Sequence, residues 1–162
     1  MQEYFSDAIV LDRLANGDLD SRVIFFTKKF GKLVAKAKSA RKITSKLSAH
    51  LEPGNLIQLR LIEKNGLQIV DALKMSRLTM SPQELYLVSE LLAEAEPESG
   101  IWELCAREKF SWQEALKILG WDPMLAHCSD CSGKALSFHI TSQEFFCGSC
   151  SSKLPKNKVI YV

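Results

Sequence analysis

The sequence lacks the features by which membrane and secreted proteins are usually recognised. No run of about 18 apolar residues occurs, so no segment is expected to cross a bilayer as a helix. The first residues carry neither a basic cluster nor an apolar stretch, so no secretory signal is expected and the cytosol is the predicted compartment. In that compartment, the 5 cysteines favour metal ligands or buried thiols over disulfides.

Catalytic signatures are also missing. There is no G-x-x-x-x-G-K-[ST] loop for nucleotide phosphates, no H-E-x-x-H and no G-x-S-x-G. The 3 histidines, His50, His127 and His139, are scattered along the chain without an evident nucleophile or carboxylate partner. The sequence therefore predicts a protein that is not an enzyme.

Charge is present in ordinary amount but is unevenly distributed. The net charge is only +2, with 25% charged and 46% hydrophobic residues, as in an average globular chain. Residues 1–75 carry 13 Lys and Arg against 8 Asp and Glu, residues 76–126 carry 4 against 9, and residues 127–162 carry 4 against 2. This segregation indicates three stretches with different roles.

The basic N-terminal stretch is typical of short strands. Apolar or β-branched runs occupy residues 7–14, 23–27, 33–38, 56–62 and 67–70. Lys64-Asn65-Gly66 separates the last two runs, and Asn-Gly between apolar runs is a hairpin signal. Five short strands in about 70 residues favour a small barrel or sandwich, for which a five-stranded OB-type barrel is one candidate.

The acidic middle stretch is typical of helices. Ser81-Pro82-Gln83-Glu84 has the pattern of a capping box with proline at the first helical position, and Ser111 to Glu114 repeats the capping pattern. A further helix is predicted over about residues 101–109. The 3 tryptophans fall in this stretch and are predicted to form the core of a small helical region: Trp102, Trp112 and Trp121.

Four cysteines form the pattern C-x2-C-x15-C-x2-C, which is a zinc-binding spacing. They are Cys128, Cys131, Cys147 and Cys150. Two pairs of thiolates can complete a tetrahedron around one ion, and four sulfur ligands leave no open position for water, so the predicted zinc is structural. Loss of the metal and disulfide formation are the alternatives. Cys105 lies on a predicted helix and is expected in the core, and His127 and His139 are expected not to be ligands.

Eight basic residues and no acid occur between residues 28 and 46. They are Lys28, Lys29, Lys32, Lys36, Lys38, Arg41, Lys42 and Lys46. In a strand after Gly31, side-chain alternation places Lys32, Lys36 and Lys38 on one face, which continues into a basic loop. Such a surface can follow a phosphate backbone, although a solvated face without a ligand is the alternative. Phe25, Phe26 and Phe30 lie nearby and could stack on bases, with core packing favoured for at least one of the first two.

The order of several of these segments resembles the bacterial recombination mediator family RecO. The resembling segments are Ala8–Leu11, Gly17-Asp18, Val23–Thr27, Phe30–Leu33, Ser39–Leu47 and Leu51–Pro53, followed by Leu119–Gly133, Leu136–Phe138 and Phe146–Cys150. The last three resemble the stretch that enters and completes the family's zinc-binding finger. The first six segments fall within residues 8–53 and the last three within residues 119–150.

The resemblance implies an N-terminal OB domain, a helical domain and a zinc finger. It also implies binding of single- and double-stranded DNA, annealing of complementary strands, and loading of RecA in cooperation with RecR. Contact with single-strand-binding protein is a further implied partnership, although the family's groove for it lies in a helical domain larger than the one here. The basic residues implied in DNA contact are Lys32, Lys36, Lys38, Arg41, Lys42 and Lys46, and the four finger cysteines are the implied metal ligands.

The resulting prediction is an α+β protein with an OB-fold nucleic-acid-binding domain over residues 1–76. A helical domain follows over residues 77–162, with a zinc finger at 127–151. The predicted function is DNA binding in recombinational repair, at the nucleoid. The alternatives are a zinc-ribbon nucleic-acid-binding protein of transcription or RNA metabolism, and an assembly factor that binds no DNA.

Overall fold

A computed structural model describes all 162 residues, which form an α+β fold with eight strands and four short helices. The first five strands are β1 (Gln2–Asn16), β2 (Asp20–Thr27), β3 (Gly31–Ala37), β4 (Asn55–Glu63) and β5 (Leu67–Arg77). They are followed by α1 (Pro82–Leu91), α2 (Ser99–Cys105), α3 (Trp112–Ile118), β6 (Ser137–His139), β7 (Glu144–Phe146), α4 (Gly148–Ser151) and β8 (Val159–Tyr161). A turn of 3-10 helix, Lys156–Lys158, precedes β8.

The first five strands form a closed barrel in the order β1-β2-β3-β5-β4. The neighbouring pairs are antiparallel except β3 and β5, which are parallel and meet at Lys36 and Gln68. Strand β1 pairs with β2 along one part and with β4 along the other, so one long strand serves both sides of the barrel. The predicted OB-type fold is confirmed by the number, order and pairing of these strands.

The interior of the barrel is filled by alternate residues of its strands. Phe25 of β2, Ala35 of β3 and Ile57 of β4 are completely or almost completely buried. The connection between β3 and β4, residues 38–54, has no helix, yet Ala40 and Leu51 within it are buried in the same core. This connection therefore packs against the barrel instead of projecting from it.

Arg13 of β1 fixes the β3–β4 connection from the side. Its guanidinium donates to the carbonyls of Ser48 at 3.0 Å and Ala40 at 3.0 Å, and it forms an ion pair with Glu52 at 3.4 Å. The Arg13 side chain is only 15% exposed. Since buried polar donors must find acceptors, Arg13 defines where this irregular backbone lies.

The chain divides into two compact units, Met1–Trp102 and Glu103–Val162. The first contains the barrel and α1. The predicted limit at residue 76 coincides with the end of the strands, and its role as a domain boundary stays a prediction. Residues 103–162 contain α3 and a three-stranded sheet in the order β7-β6-β8. None of the four helices has the length and apolar composition that a membrane-spanning helix requires.

The two capping patterns have different outcomes. At α1, the Glu84 N–H donates to Ser81 Oγ at 3.2 Å and the Ser81 N–H donates to the Glu84 carboxylate at 2.7 Å, so the predicted box is confirmed. At α3, Ser111 Oγ accepts from the Glu114 N–H at 3.3 Å, but the Glu114 carboxylate binds Arg107 at 2.8 Å. The second box is therefore only half formed.

The prediction of a single tryptophan core is wrong. Trp102 packs edge-on against Phe26, with ring centroids 5.6 Å apart. The ring centroids of Trp112 and Phe110 are 4.8 Å apart, and those of Trp121 and Phe138 are 5.0 Å apart. The three rings therefore have three different aromatic partners and share no common core.

Candidate metal centre and nucleic-acid surface

The four predicted metal ligands lie together in the second unit. The sulfur atoms of Cys128, Cys131, Cys147 and Cys150 all lie within 4.8 Å of one another. The Sγ atoms of Cys131 and Cys147 are 3.7 Å apart. Two sulfurs bound tetrahedrally to one zinc ion at the usual bond length would be separated by about 3.8 Å. The spacing of the sulfurs therefore fits one tetrahedral ion.

Two tight turns bring the cysteines to this position. In the first, the Cys128 N–H donates to the Gly133 carbonyl at 2.8 Å, and the Ser132 N–H donates back to the Cys128 carbonyl at 2.9 Å. In the second, Cys147 follows β7 directly and caps α4, and the Cys150 N–H points at the Cys147 sulfur at 3.4 Å. Backbone N–H groups directed at sulfur stabilise the thiolate form that metals bind.

The sheet of the second unit holds these turns together. Strands β6 and β7 form an antiparallel hairpin, with Phe138 opposite Phe145. The Ser129 N–H donates to the Phe145 carbonyl at 2.9 Å, which ties the first turn to β7. The sequence did not predict β8, which pairs with the other side of β6. Strand β8 has only three residues, which are too few for an alternating strand pattern to be recognised.

The thiols of the cluster differ in acidity. The pKa of Cys128 is lowered to about 6, above all by the hydrogen bond from the Cys147 backbone N–H. The pKa of Cys147 is lowered in the same way by the Cys150 N–H, whereas that of Cys150 is raised to about 12, first through its hydrogen bond with the Cys147 side chain. Backbone N–H groups thus favour the thiolate at Cys128 and Cys147, whereas the neighbouring sulfurs oppose it at Cys150, and a divalent cation would relieve that opposition.

Cys105 lies outside the cluster and is 1% exposed. Burial raises the pKa of its thiol to about 12. The expected core role of Cys105 is confirmed. His139 instead contacts Ser142 at 2.9 Å, and the ligand cluster contains neither His127 nor His139.

The eight basic residues of the sequence run divide between the two ends of β3. Lys28 and Lys29 are exposed in the turn before the strand. Beyond its other end lie Lys38, Arg41, Lys42 and Lys46, which are all exposed. We call these last four residues, with Lys36 near that end of the strand, the distal basic cluster. The sequence predicted one continuous basic surface, but β3 separates Lys28 and Lys29 from the distal basic cluster.

Lys32 has a partner inside the protein. Its ammonium donates to the Ser89 carbonyl at 2.8 Å, in the last turn of α1. The Lys32 backbone carbonyl accepts from the Ala95 N–H at 2.9 Å. A cation at a helix C-terminus satisfies a free carbonyl and interacts favourably with the helix dipole. Lys32 thus joins β3 to α1.

Two residues of β2 belong to the same surface as the distal basic cluster and were missed. Arg22 is exposed and lies directly opposite Lys36 in the β2–β3 ladder. Asp20 binds the Lys36 ammonium at 2.8 Å and accepts from the Ser39 N–H at 2.7 Å. The Lys36 bond, followed by that of Ser39, lowers the pKa of Asp20. The run itself contains no acidic residue, but Asp20 reaches its surface from the neighbouring strand β2. Side-chain alternation in β2 could have indicated this contact.

The phenylalanines near the run differ in accessibility. Phe25 and Phe26 are both completely buried, so neither ring can stack on a base in this fold. Phe30 is half-buried and packs edge-on against Tyr4, with ring centroids 5.3 Å apart. The core packing expected for at least one of the two strand rings is therefore confirmed for both.

The fold and the site together define a class of protein: a closed five-stranded OB-type barrel followed by a cluster of four cysteines. Residues 1–78 match the family model described as Recombination protein O N terminal. Among the similar proteins is the DNA repair protein RecO of Thermodesulfovibrio yellowstonii, 27% identical over 92% of this chain and 70% of its own length. The RecO of Myxococcus xanthus is 30% identical over 82% of this chain and 65% of its own length.

A third relative, the RecO of Cutibacterium acnes, is 29% identical over 59% of this chain and 40% of its own length. The matches thus span between 40% and 70% of the length of these three relatives. The family model and the relatives support a RecO-family protein, and the resemblance seen in the sequence is confirmed.

Proposed function

We propose that the protein acts in DNA repair by binding single- and double-stranded DNA and annealing complementary strands, without catalysing a covalent reaction. The observation that carries this proposal is the distal basic cluster on an OB-type barrel. Its cations lie near the end of β3 and along the β3–β4 connection, and Arg22 adds a further exposed charge from β2. Neutralising phosphates in this way releases counterions and favours binding regardless of base sequence.

The mechanism follows from electrostatics. Two complementary strands repel each other through their phosphates, and a concentrated positive surface lowers that repulsion. No nucleotide-binding loop is present, so the annealing should need no ATP. Arg13 contributes indirectly, since it holds the connection that carries Arg41, Lys42 and Lys46 against the barrel.

The proposal extends to a metal and to partners. One structural zinc ion would be held by Cys128, Cys131, Cys147 and Cys150, for which the sulfur spacing is suitable. The similar proteins are named for DNA repair, and the family resemblance extends the proposed role to cooperation with RecR and loading of RecA. Single-strand-binding protein is a further proposed partner. This role places the protein in the cytoplasm, at the nucleoid.

Annealing of two complementary oligonucleotides by the purified full chain tests the proposal. We expect faster annealing without added nucleotide and loss of the effect at high salt. If the distal basic cluster contacts about five phosphates of a single strand, the slope of log affinity against log salt should be about −3.5.

Replacing Lys38, Lys42 and Lys46 by glutamate should weaken binding to all base sequences alike. A matched control replaces Lys153, Lys156 and Lys158 near the C-terminus by glutamate, which changes the net charge by the same amount outside the distal basic cluster. Unchanged affinity in the first variant, or salt-independent affinity in the native chain, would contradict the proposal. Repeating the reaction on strands coated with single-strand-binding protein tests the partner.

A further inference from the structure

The cations at the other end of β3 form a separate surface. Lys28 and Lys29 precede the strand, whereas Lys38 to Lys46 follow it. A strand of 7 residues is about 20 Å long, since each residue advances about 3.3 Å. The first pair of lysines therefore lies too far from the distal basic cluster to contact the same phosphate, and its role needs its own explanation.

A groove of about 670 Å³ runs beside these two lysines. Its lining includes Phe5, Asp7, Lys28, Lys29 and Gln58. The turn is tied to β1, because the Lys28 N–H donates to the Asp7 carbonyl at 2.9 Å and the Lys29 N–H donates to Ser6 Oγ at 3.1 Å. Two lysines against the single carboxylate of Asp7 leave the lining positive.

Phe5 gives this groove an aromatic wall. Its side chain is 53% exposed on the outer face of β1, although most large apolar side chains of β1 are buried. The Arg60 guanidinium lies 5.3 Å from the ring centroid, and the Glu3 carboxylate holds that guanidinium at 3.0 and 3.1 Å. The ring is thus supported from one side by a fixed cation while it lines the groove.

We propose that this groove is a second binding site for single-stranded DNA, in which a base stacks on Phe5 and the adjoining phosphates contact Lys28 and Lys29. An exposed aromatic ring beside lysines that follow a groove is the composition of sequence-tolerant single-strand sites. The inference rests on the proposed function and deepens it. With two sites about 20 Å apart, one chain holds two strands at once, as annealing requires.

The variant Phe5→Ala tests the stacking contact. In the chain that carries glutamates at Lys38, Lys42 and Lys46, where binding to the distal basic cluster is weakened, it should weaken binding of an oligothymidylate by at least about fivefold, because stacking of one base contributes at least that factor. Binding of a duplex should not change, because its bases are stacked on each other, and Phe5→Trp should bind as the native chain does. Since Phe5 is exposed, the alanine variant should fold normally. Titration by fluorescence anisotropy measures each affinity.

The variant Lys28→Gln with Lys29→Gln tests the phosphate contacts. In the same background of glutamates at Lys38, Lys42 and Lys46, it should make the slope of log affinity against log salt less negative by about 1.4, the contribution of two single-strand phosphates. Phe5→Ala should leave that slope unchanged. A photo-crosslink from an iodouracil-substituted strand to the peptide of residues 1–13 would locate the base directly.

The outcomes separate the two proposals. If glutamates at Lys38, Lys42 and Lys46 weaken DNA binding while Phe5→Ala and the Lys28 and Lys29 variant do not, the second site is wrong and the proposed function stands. If the full chain binds no DNA, both proposals fail. If an acidic peptide binds the groove and the oligothymidylate does not compete with it, the groove is a protein-binding site and the proposal is overturned.

Discussion

The two compact units are stabilised by different means. The barrel unit contains a continuous apolar core in which Phe25, Ile57 and Leu51 are all completely buried. The second unit, Glu103–Val162, has strands of only 3 residues and depends on a few large side chains such as Phe138 and Leu116. A domain of about 60 residues buries only about 60% of the surface of its unfolded chain, so a bound metal adds stability that so small a core supplies poorly.

This difference explains where the cysteines are found. All 5 cysteines of the chain lie in the second unit, and four of them converge on one point, where an ion can replace missing core. The barrel contains none, and its closure gives every strand a hydrogen-bonded neighbour on both sides. The first unit should therefore remain folded without metal, whereas the second unit should lose stability when the metal is removed.

The largest expected effect follows from Cys131→Ser. Metal binding contributes about 10–16 kcal/mol of apparent folding energy in finger peptides, so this variant should lose its ion and loosen residues 103–162. The barrel should remain folded. Hydrogen exchange read separately over the two units and elemental analysis of the metal content measure both effects. Cys105→Ala is the control, since Cys105 lies outside the cluster and the variant should keep one metal ion per chain.

Metal content should also depend on pH. Protons compete with the metal for thiolates, and the pKa of Cys128 is about 6 without an ion. Affinity should therefore fall steadily as the pH is lowered, and release should not occur on raising it. Protein purified without chelators that contains no metal at neutral pH would contradict the structural-metal proposal.

The converse variant is Phe25→Ala in the barrel. Truncating a completely buried phenylalanine costs about 3–5 kcal/mol, through lost burial and the cavity that remains. We expect the free energy of unfolding of residues 1–102 to fall by this amount in urea, while the metal content stays at one ion per chain. Loss of metal in this variant would show that the two units do not differ as described.

How much the sequence predicts also differs between the units. Alternation and turn residues were sufficient for the five strands of the first unit, because each strand is long enough to show a period of two, but they left a barrel and a sandwich both open. The two C-x2-C pairs predicted the cysteine cluster, because cysteines at this spacing can direct both of their sulfurs at one ion. The partners of the three tryptophans, the half-formed box at Ser111 and the strand β8 were not predictable, because each is decided by a tertiary neighbour.

The basic surface illustrates the same limit within one strand. The run from Lys28 to Lys46 identified the cations, but not that β3 divides them or that Lys32 binds the Ser89 carbonyl. Pairing with β2 brings Asp20 and Arg22 to the surface from outside the run. Charge patterns in sequence therefore indicate the type of surface better than its extent.

A smaller effect is expected from Asp20→Asn. Asparagine can still accept the Ser39 N–H through its carbonyl oxygen, but it no longer neutralises Lys36. If the distal basic cluster binds DNA, single-strand affinity should rise and the salt slope should become more negative by about 0.7, the contribution of one additional phosphate. Asp20→Ala also removes the bond to Ser39, and its weaker gain in binding would separate charge from loop position. Weaker binding by Asp20→Asn would contradict this role of Lys36.

The pair of Asp20 and Lys36 also has a defined pH dependence. Since the pKa of Asp20 is lowered from its ordinary value of 3.8 in the folded chain, the contribution of the pair to stability is complete above that value. It is lost as the pH falls through the folded pKa, when the carboxylate is protonated. Acid titration of the native chain and Asp20→Asn, followed by their unfolding midpoints, should converge at low pH.

The smallest effect is expected from Lys32→Met, which keeps the length of the side chain but removes its charge. The ammonium binds the Ser89 carbonyl at the end of α1, so its loss should lower the free energy of unfolding of the barrel unit by about 0.5–1 kcal/mol. Because that bond occupies the ammonium, the salt slope of DNA binding should change less than in Lys38→Met, whose side chain is exposed. Lys38→Met should in turn leave stability unchanged. Measuring the free energy of unfolding and the salt slope for both variants separates the structural role of Lys32 from the DNA contact of Lys38. A slope that shifts by a full phosphate contact in Lys32→Met would show that this lysine leaves α1 to contact DNA, and that the two ends of β3 are less distinct than the fold indicates.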